Sequence, residues 1–345
     1  MLRSRLLLAV LRLSACFVAW ATGAALAAEA RVDLEVISEP GFVGTESRAW
    51  SEMLSQAGFS SVRIKSGTAD SPSVQTSGTA SAPAYRVVAI LTSENQLLLP
   101  KGRFKLGDRG KIEAWVRKLR DGGEDAIFIK PTAFGLLPKQ LVEVHEALAV
   151  SVKSSTLGQP PRDAAKQIAD RLTLKFISDD ASQRALAGGE PVADELQGLS
   201  SGTALAALLR PLGLVMFPEK NGGEIRLRIA SSKSAKEHWP AGWPPKGNPS
   251  ETLPDLFKFL NVEIEKTALS EVLTAISGRV KAPLLLDHNA LAREEIDINT
   301  KVSFPKTNTY YARALDRMLF QAKLKQELRV DEANKPFLWI TTLKQ

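Results

Sequence analysis

Cysteine and histidine are almost missing from this chain, which has one Cys and three His among 345 residues. The single thiol, Cys16, lies in the extreme N-terminal segment, so a disulfide framework is excluded and stability has to come from apolar cores. His145, His238 and His288 are scattered, and none has a second ligand at metal-site spacing. No HExxH, CxxC or GxSxG run is present, which removes the zinc-peptidase, dithiol and serine-hydrolase signatures. Gly41-Phe42-Val43-Gly44 precedes a helix pattern, but Thr45-Glu46-Ser47 follows in place of Lys-Ser or Lys-Thr, and Glu46 would repel a phosphate. The chain therefore reads as non-enzymatic, with no catalytic residue, cofactor or metal. Paired acids that meet only in space escape such a search. The alternative is a hydrolase or glycan-binding protein with its site in the N-terminal domain.

What is present is ordinary globular composition, 44% apolar and 24% charged, in a chain long enough for two or three domains. Residues 1–27 read as a secretory signal peptide: Arg3, Arg5 and Arg12 form a positive region, Leu13 to Ala21 an apolar run, and Ala25-Leu26-Ala27 a small-x-small cleavage site. Leu13-Ser14-Ala15-Cys16 also fits the pattern before a lipidated cysteine. Arg12 directly ahead of it and the greasy Phe17 to Ala28 behind it disfavour that anchor. The expected location is secreted, in the periplasm. Loss of the three arginines lowers the net charge from +7 to +4, spread thinly along the mature chain, which argues against nucleic acid as a partner.

Residues 28–150 are expected to form an N-terminal α+β domain of α/β-like type. Val32, Leu34 and Val36 alternate with Asp33 and Glu35 as a half-buried strand does, Thr45 is placed to cap a helix carrying Trp50 and Leu54, and Val62 and Ile64 mark a second strand. Gly67 to Pro83 reads as an exposed loop. Tyr85 to Leu91 and Leu97 to Leu99 read as paired strands, followed by a helix capped by Asp108, striped by Ile112, Trp115, Val116 and Leu119 and ended by Gly122-Gly123. A strand over Ala126 to Ile129 and a helix opened by Pro138 complete the domain. Residues 101–120 hold eight Lys and Arg against Asp108 and Glu113, a local +6 that is a candidate contact for an anionic surface through Arg117, Lys118 and Arg120, or else a solvated helix face.

The rest of the chain carries an internal repeat, with modules at 151–231 and 254–345. Arg171, Leu172, Leu174, Phe176 and Asp179 match Arg279, Val280, Ala282, Leu284 and Asp287 at one constant offset along the chain. Ala204-Leu205, Leu208-Leu209 and Leu214 match Ala314-Leu315, Met318-Leu319 and Leu324 at an offset greater by two, a difference that a loop can absorb. In the second copy Leu269, Val272, Leu273 and Ile276 stripe a helix with Thr267 as its expected cap. Ile296, Ile298, Val302 and Phe304 then alternate, and Ala314, Leu315, Met318 and Leu319 stripe a second helix before a closing hairpin. In the first copy Asn221-Gly222 turns the corresponding hairpin, and Asp194 stands where Phe304 stands in the second. Asp179-Asp180 and Asp287-His288 read as turn chemistry at matching strand ends.

This order of striped helix, strand ending in Asp, alternating strands, Ala-Leu-x-x-[Leu/Met]-Leu-x-x-x-x-Leu and hairpin resembles the short N-terminal (STN) domain of secretins and TonB-dependent receptors. The second copy carries it best, over Val262 to Thr342. The resemblance implies two small βαβ-type modules that act in the periplasm by contacts with other cell-envelope proteins or by self-association. With the chain stopping three residues past its last strand, no transmembrane barrel is expected. Between the modules, residues 232–253 form a Trp/Pro-rich linker, a stiff spacer whose Trp239 and Trp243 either present an aromatic surface to a partner or pack back onto the modules.

Overall fold

A computed structural model describes residues 30–42, 46–79, 82–221 and 224–343. The signal peptide with Cys16, the residues Gly44 and Thr45, and Gly222 of the hairpin turn lie outside the described residues. The chain is an α+β protein whose elements divide into two compact units, with the boundary between Arg120 and Asp121.

In the first unit, β1 (Arg31–Ser38) buries Val32, Leu34 and Val36. Helix α1 (Ser47–Ser55) buries Trp50 and Leu54, and β2 (Ser61–Ser66) returns parallel to β1, with Leu34 opposite Val62 and Val36 opposite Ile64. This is the βαβ start that the alternation predicts. Residues 67–83 are not a plain loop: β3 (Ser73–Thr79) pairs antiparallel with β4 (Ala82–Leu91). Only Val74 of β3 is buried, so backbone pairing and not apolar alternation makes it a strand. β4 also runs parallel to β1 and pairs with β5 (Gln96–Leu99), which turns into β6 (Gly102–Lys105). The order is β2-β1-β4-β5-β6 with β3 branching off β4, which leaves β2, β3 and β6 each with one partner strand among the described residues. Helix α2 (Arg109–Phe128) buries Ile112, Trp115, Val116 and Leu119. It is broken at Gly123 (φ 65°, ψ −166°) yet continues, so the expected strand over 126–129 is helical as far as Phe128. A four-residue apolar run has no period that separates helix from strand.

Helix α3 (Pro138–Leu148) opens the second unit's core. Leu136, Val144 and Leu148 share one apolar cluster with the first module, which moves the boundary expected at residue 150 back to Arg120. The first module is α4 (Pro161–Ala169), β7 (Lys175–Ser178), α5 (Asp180–Gly188), α6 (Ser201–Leu209), β8 (Leu214–Asn221) and β9 (Glu224–Ser231), with strand order β7-β9-β8. After a four-residue helix α7 (Pro249–Thr252) comes the second module. It consists of β10 (Phe259–Ala268), α8 (Leu269–Val280), β11 (Leu284–Leu286), α9 (His288–Arg293), β12 (Lys301–Tyr310), α10 (Tyr311–Gln321), β13 (Leu324–Val330) and β14 (Pro336–Thr342). Its strand order β11-β14-β13 repeats the first, parallel then antiparallel, and β10 pairs with β12.

The repeat is positional down to single hydrogen bonds. Asp179 accepts the Ser182 N–H (2.7 Å), and its counterpart Asp287 accepts the Ala290 N–H (3.2 Å). The two carboxylates cap α5 and α9, so the passages read as turns are helix starts. α8 begins on Ala268 without a side-chain cap, and Thr267 remains in β10. Where the second module has the β10–β12 pair, the first keeps an isolated bridge, Ser151 with Ser200. Carried across at the two offsets of the repeat, these positions become Phe259 and Tyr310, the first pair of that ladder.

Both faces of the second module's sheet are covered. Leu338 and Ile340 join the core of α8 and α10, while Leu285, Phe337 and Trp339 join the core of the first module. Helix α6 is buried on nearly every side for the same reason, whereas α10 leaves Arg313, Asp316 and Arg317 exposed. Hydrogen exchange provides a check on β3: the backbone amides of 73–79 that face β4 should exchange slowly, and uniformly fast exchange over 67–83 would return this segment to a loop.

Candidate functional site

The residues singled out in the sequence fall into three places. Trp239 and Trp243 are not a presented surface. Trp239 is only 4% exposed, and its Nε1–H donates to Glu332 Oε1 (2.7 Å). Trp243 bridges to Val330 through two backbone hydrogen bonds (2.9 and 2.8 Å), and His145 lies 5.2 Å from its ring. Only the stretch from Trp239 to Trp243 is thus interior wall, with Trp239 edge-on to Trp243, while most of the remaining linker is exposed. Its aromatic rings gain more by filling the space between sheet and helix than by facing water.

Around Glu332 the modules are locked together. The β13–β14 turn places two buried carboxylates on the start of α6. Glu332 Oε2 accepts the Thr203 N–H (3.1 Å) and hydroxyl (2.8 Å), and Asp331 Oδ2 accepts the Ser200 N–H (2.8 Å). Helix starts carry unpaired N–H groups and partial positive charge, which is what these acids meet. The approach is close enough that a Cβ on Gly202 would stand 1.9 Å from Glu332 Oε1. Burial pushes the Glu332 pKa up, against the donors from Trp239 and Thr203 that pull it down.

A second contact joins the modules beside a cavity of about 290 Å³ lined by Leu208, Leu212, Asp194 and His288 among others. Asp194 Oδ2 lies 2.9 Å from His288 Nε2 and accepts the Leu286 N–H (3.3 Å), so the residue that departs from the repeat at Phe304 has become an inter-module link. Arg210 forks onto Asp287 (2.9 and 3.3 Å), whose Oδ2 also takes the Thr341 hydroxyl (3.1 Å). Asp287 is therefore committed to a cap, an ion pair and a hydroxyl. The Asp194 hydrogen bond raises the His288 pKa above its usual 6.5, against the burial that lowers it.

The third place is the basic stretch of the first unit. Arg109 pairs with Glu113 and Lys111 with Asp108, while Arg120 is half-buried and donates to the Gly58 carbonyl. Arg117 and Lys118 are exposed, as are Lys101, Arg103 and Lys105. The structure leaves these five without a salt bridge among the described residues, although the Asp108 carboxylate accepts the Lys105 N–H (2.9 Å).

One surface was missed in the sequence. β10 pairs only with β12, so its other edge carries no strand among the described residues. Along it runs a groove of about 500 Å³, with Leu260, Val262 and Ile264 on the strand facing Val272, Ala275 and Ile276 on α8. Glu263, Glu265 and Glu271 stand on its rim against Arg279, and none of the four has an ion-pair partner among the described residues. The alternation Leu260, Val262, Ile264 against Asn261, Glu263, Glu265 was there to be read as a strand. At the start of β10, Phe259 is 75% exposed.

Among the described residues no helix is long and apolar enough to cross a membrane, and no three His, Cys, Asp or Glu side chains converge as a metal site would require. No family model, curated protein or solved structure matches this chain.

The junction can be probed at both of its contacts. Glu332→Ala should cost about 3 kcal/mol of unfolding free energy, read from denaturant midpoints, because it leaves the Trp239 and Thr203 donors buried and unpaired. A raised histidine pKa means the folded state holds the proton more tightly. The Asp194–His288 contribution is accordingly full below the unfolded value near 6.5 and lost as pH rises through the folded value. In urea titrations across pH 5–9, Asp194→Asn should flatten that fall, and an unchanged slope would assign it to other groups.

Proposed function

We propose that this chain is an exported, non-enzymatic interaction protein of the cell envelope, built on two modules of the secretin/TonB short type, and that β10 is its docking edge. One observation carries the reading: a ten-residue strand with a bare edge, an apolar groove along it and unpaired carboxylates on its rim. An extended segment added there would complete backbone hydrogen bonds and seat alternate side chains on the groove floor. Of the acids at matching ends of the two modules, Asp287 is held by Arg210 and its cap, and Asp179 by Ser182. Export and the periplasm rest on residues 1–27 alone. The exposed Arg117 and Lys118 are the second contact in this proposal, for an anionic surface.

A photoreactive residue at Glu263 should give a discrete crosslinked species in native envelope fractions, while the same residue at exposed Arg171 of the first module should not. Equal yields from both positions, or none from either, would remove β10 as the docking edge.

A further inference from the structure

We propose that the chain self-associates head to tail, β2 of one copy adding to the free edge of β10 in the next. The inference rests on β10 as a docking edge and names its occupant.

The two strands are matched in pattern and opposite in charge. β2 ends its sheet, and it alternates half-buried Val62 and Ile64 with exposed Arg63 and Lys65. β10 alternates half-buried Val262 and Ile264 with exposed Glu263 and Glu265. Because side chains on a strand change face at every residue, placing the two apolar pairs on one face sets both cations beside both carboxylates on the other. Among the described residues the Glu263 and Glu265 carboxylates have no hydrogen-bond or ion-pair partner, and neither does the Arg63 guanidinium. Lys65 shares Glu35 with Arg86, so cations remain in excess on that row.

The same charges forbid the competing pairings. Two β2 edges would set Arg and Lys against Arg and Lys, and two β10 edges would set Glu against Glu. Charged edge strands usually guard a sheet against addition, and here each guard admits the other. β6, at the far end of the first unit's sheet, also exposes Arg103 and Lys105, but it is four residues long and its Phe104 is turned into the core, which leaves nothing for the groove floor. A contact between two different surfaces builds either a closed ring, of which a reciprocal dimer is the smallest, or an open chain.

The experiment is sedimentation velocity of the purified chain over a range of concentrations at low and high salt. Species above the monomer should grow with concentration and recede with added salt. Arg63→Glu with Lys65→Glu should weaken association by about tenfold or more, as should Glu263→Lys with Glu265→Lys. A one-to-one mixture of the two variants should reassemble, since every contact is again acid against base, and this recovery also shows that both variants are folded. A monomer at all concentrations overturns the proposal, and so does assembly indifferent to both variants or a mixture that fails to recover. If the chain stays monomeric while Glu263 still crosslinks a different envelope protein, this inference falls and the reading of β10 as a docking edge stands.

Discussion

Glu332 holds the second unit together from a place that needs three conditions at once. It has to reach across from one module to the other, it has to find donors for a buried carboxylate, and it has to come within touching distance of a helix backbone. The Thr203 N–H and hydroxyl, the Trp239 indole and the bare Gly202 meet these conditions. An isolated buried carboxylate would cost several kcal/mol, and one seated on a helix start with three donors does not. Once that turn is docked, the back of the second sheet lies over α6. Phe337 and Trp339 are then covered, and the linker tryptophans have a slot to fill. Arg210 and Asp194 extend the same junction at its other side, and Arg329 lies 4.9 Å over the Trp339 ring to close it.

Much of this architecture was legible in the residues. The apolar stripes of α2, α3, α8 and α10, the hairpins β8–β9 and β13–β14, and the constant offsets between the two modules are all readings of period and spacing, and those follow from local geometry. What stayed hidden has a common physical cause. β3 is a strand because β4 lies beside it, and Ser, Thr and Gly announce nothing of that. Asp179 and Asp287 look alike whether they close a turn or open a helix, since an Asx turn and an N-cap use the same carboxylate-to-amide bond. Asp194 could be seen to break the repeat but not to reach for His288. Besides the alternation of β10, a signal that was available and unused was α6 itself: a helix reading Ser-Gly-Thr-Ala-Leu-Ala-Ala-Leu-Leu has no polar face, and such a helix is buried on more than one side.

As for the surfaces, the junction absorbs most of the chemistry that drew attention in the sequence, including the tryptophans, Asp287 and His288. What it leaves outside is simpler: an acidic strand edge on one unit and cationic strand edges and helix faces on the other. Charge on such surfaces decides which encounters go forward more than how tightly they hold.

The contrast between α6 and α10 bears on how many copies such a fold can carry. Thr203, Ala206 and Ala207 on α6 lie on the face that receives the next module, and the matching positions of α10 are Arg313, Asp316 and Arg317. Small side chains admit a sheet at close range; long charged ones hold it off in water. A third repeat added in tandem would meet a face unlike the one on α6. A few substitutions on α10 separate a helix face that water covers from one that a sheet could cover.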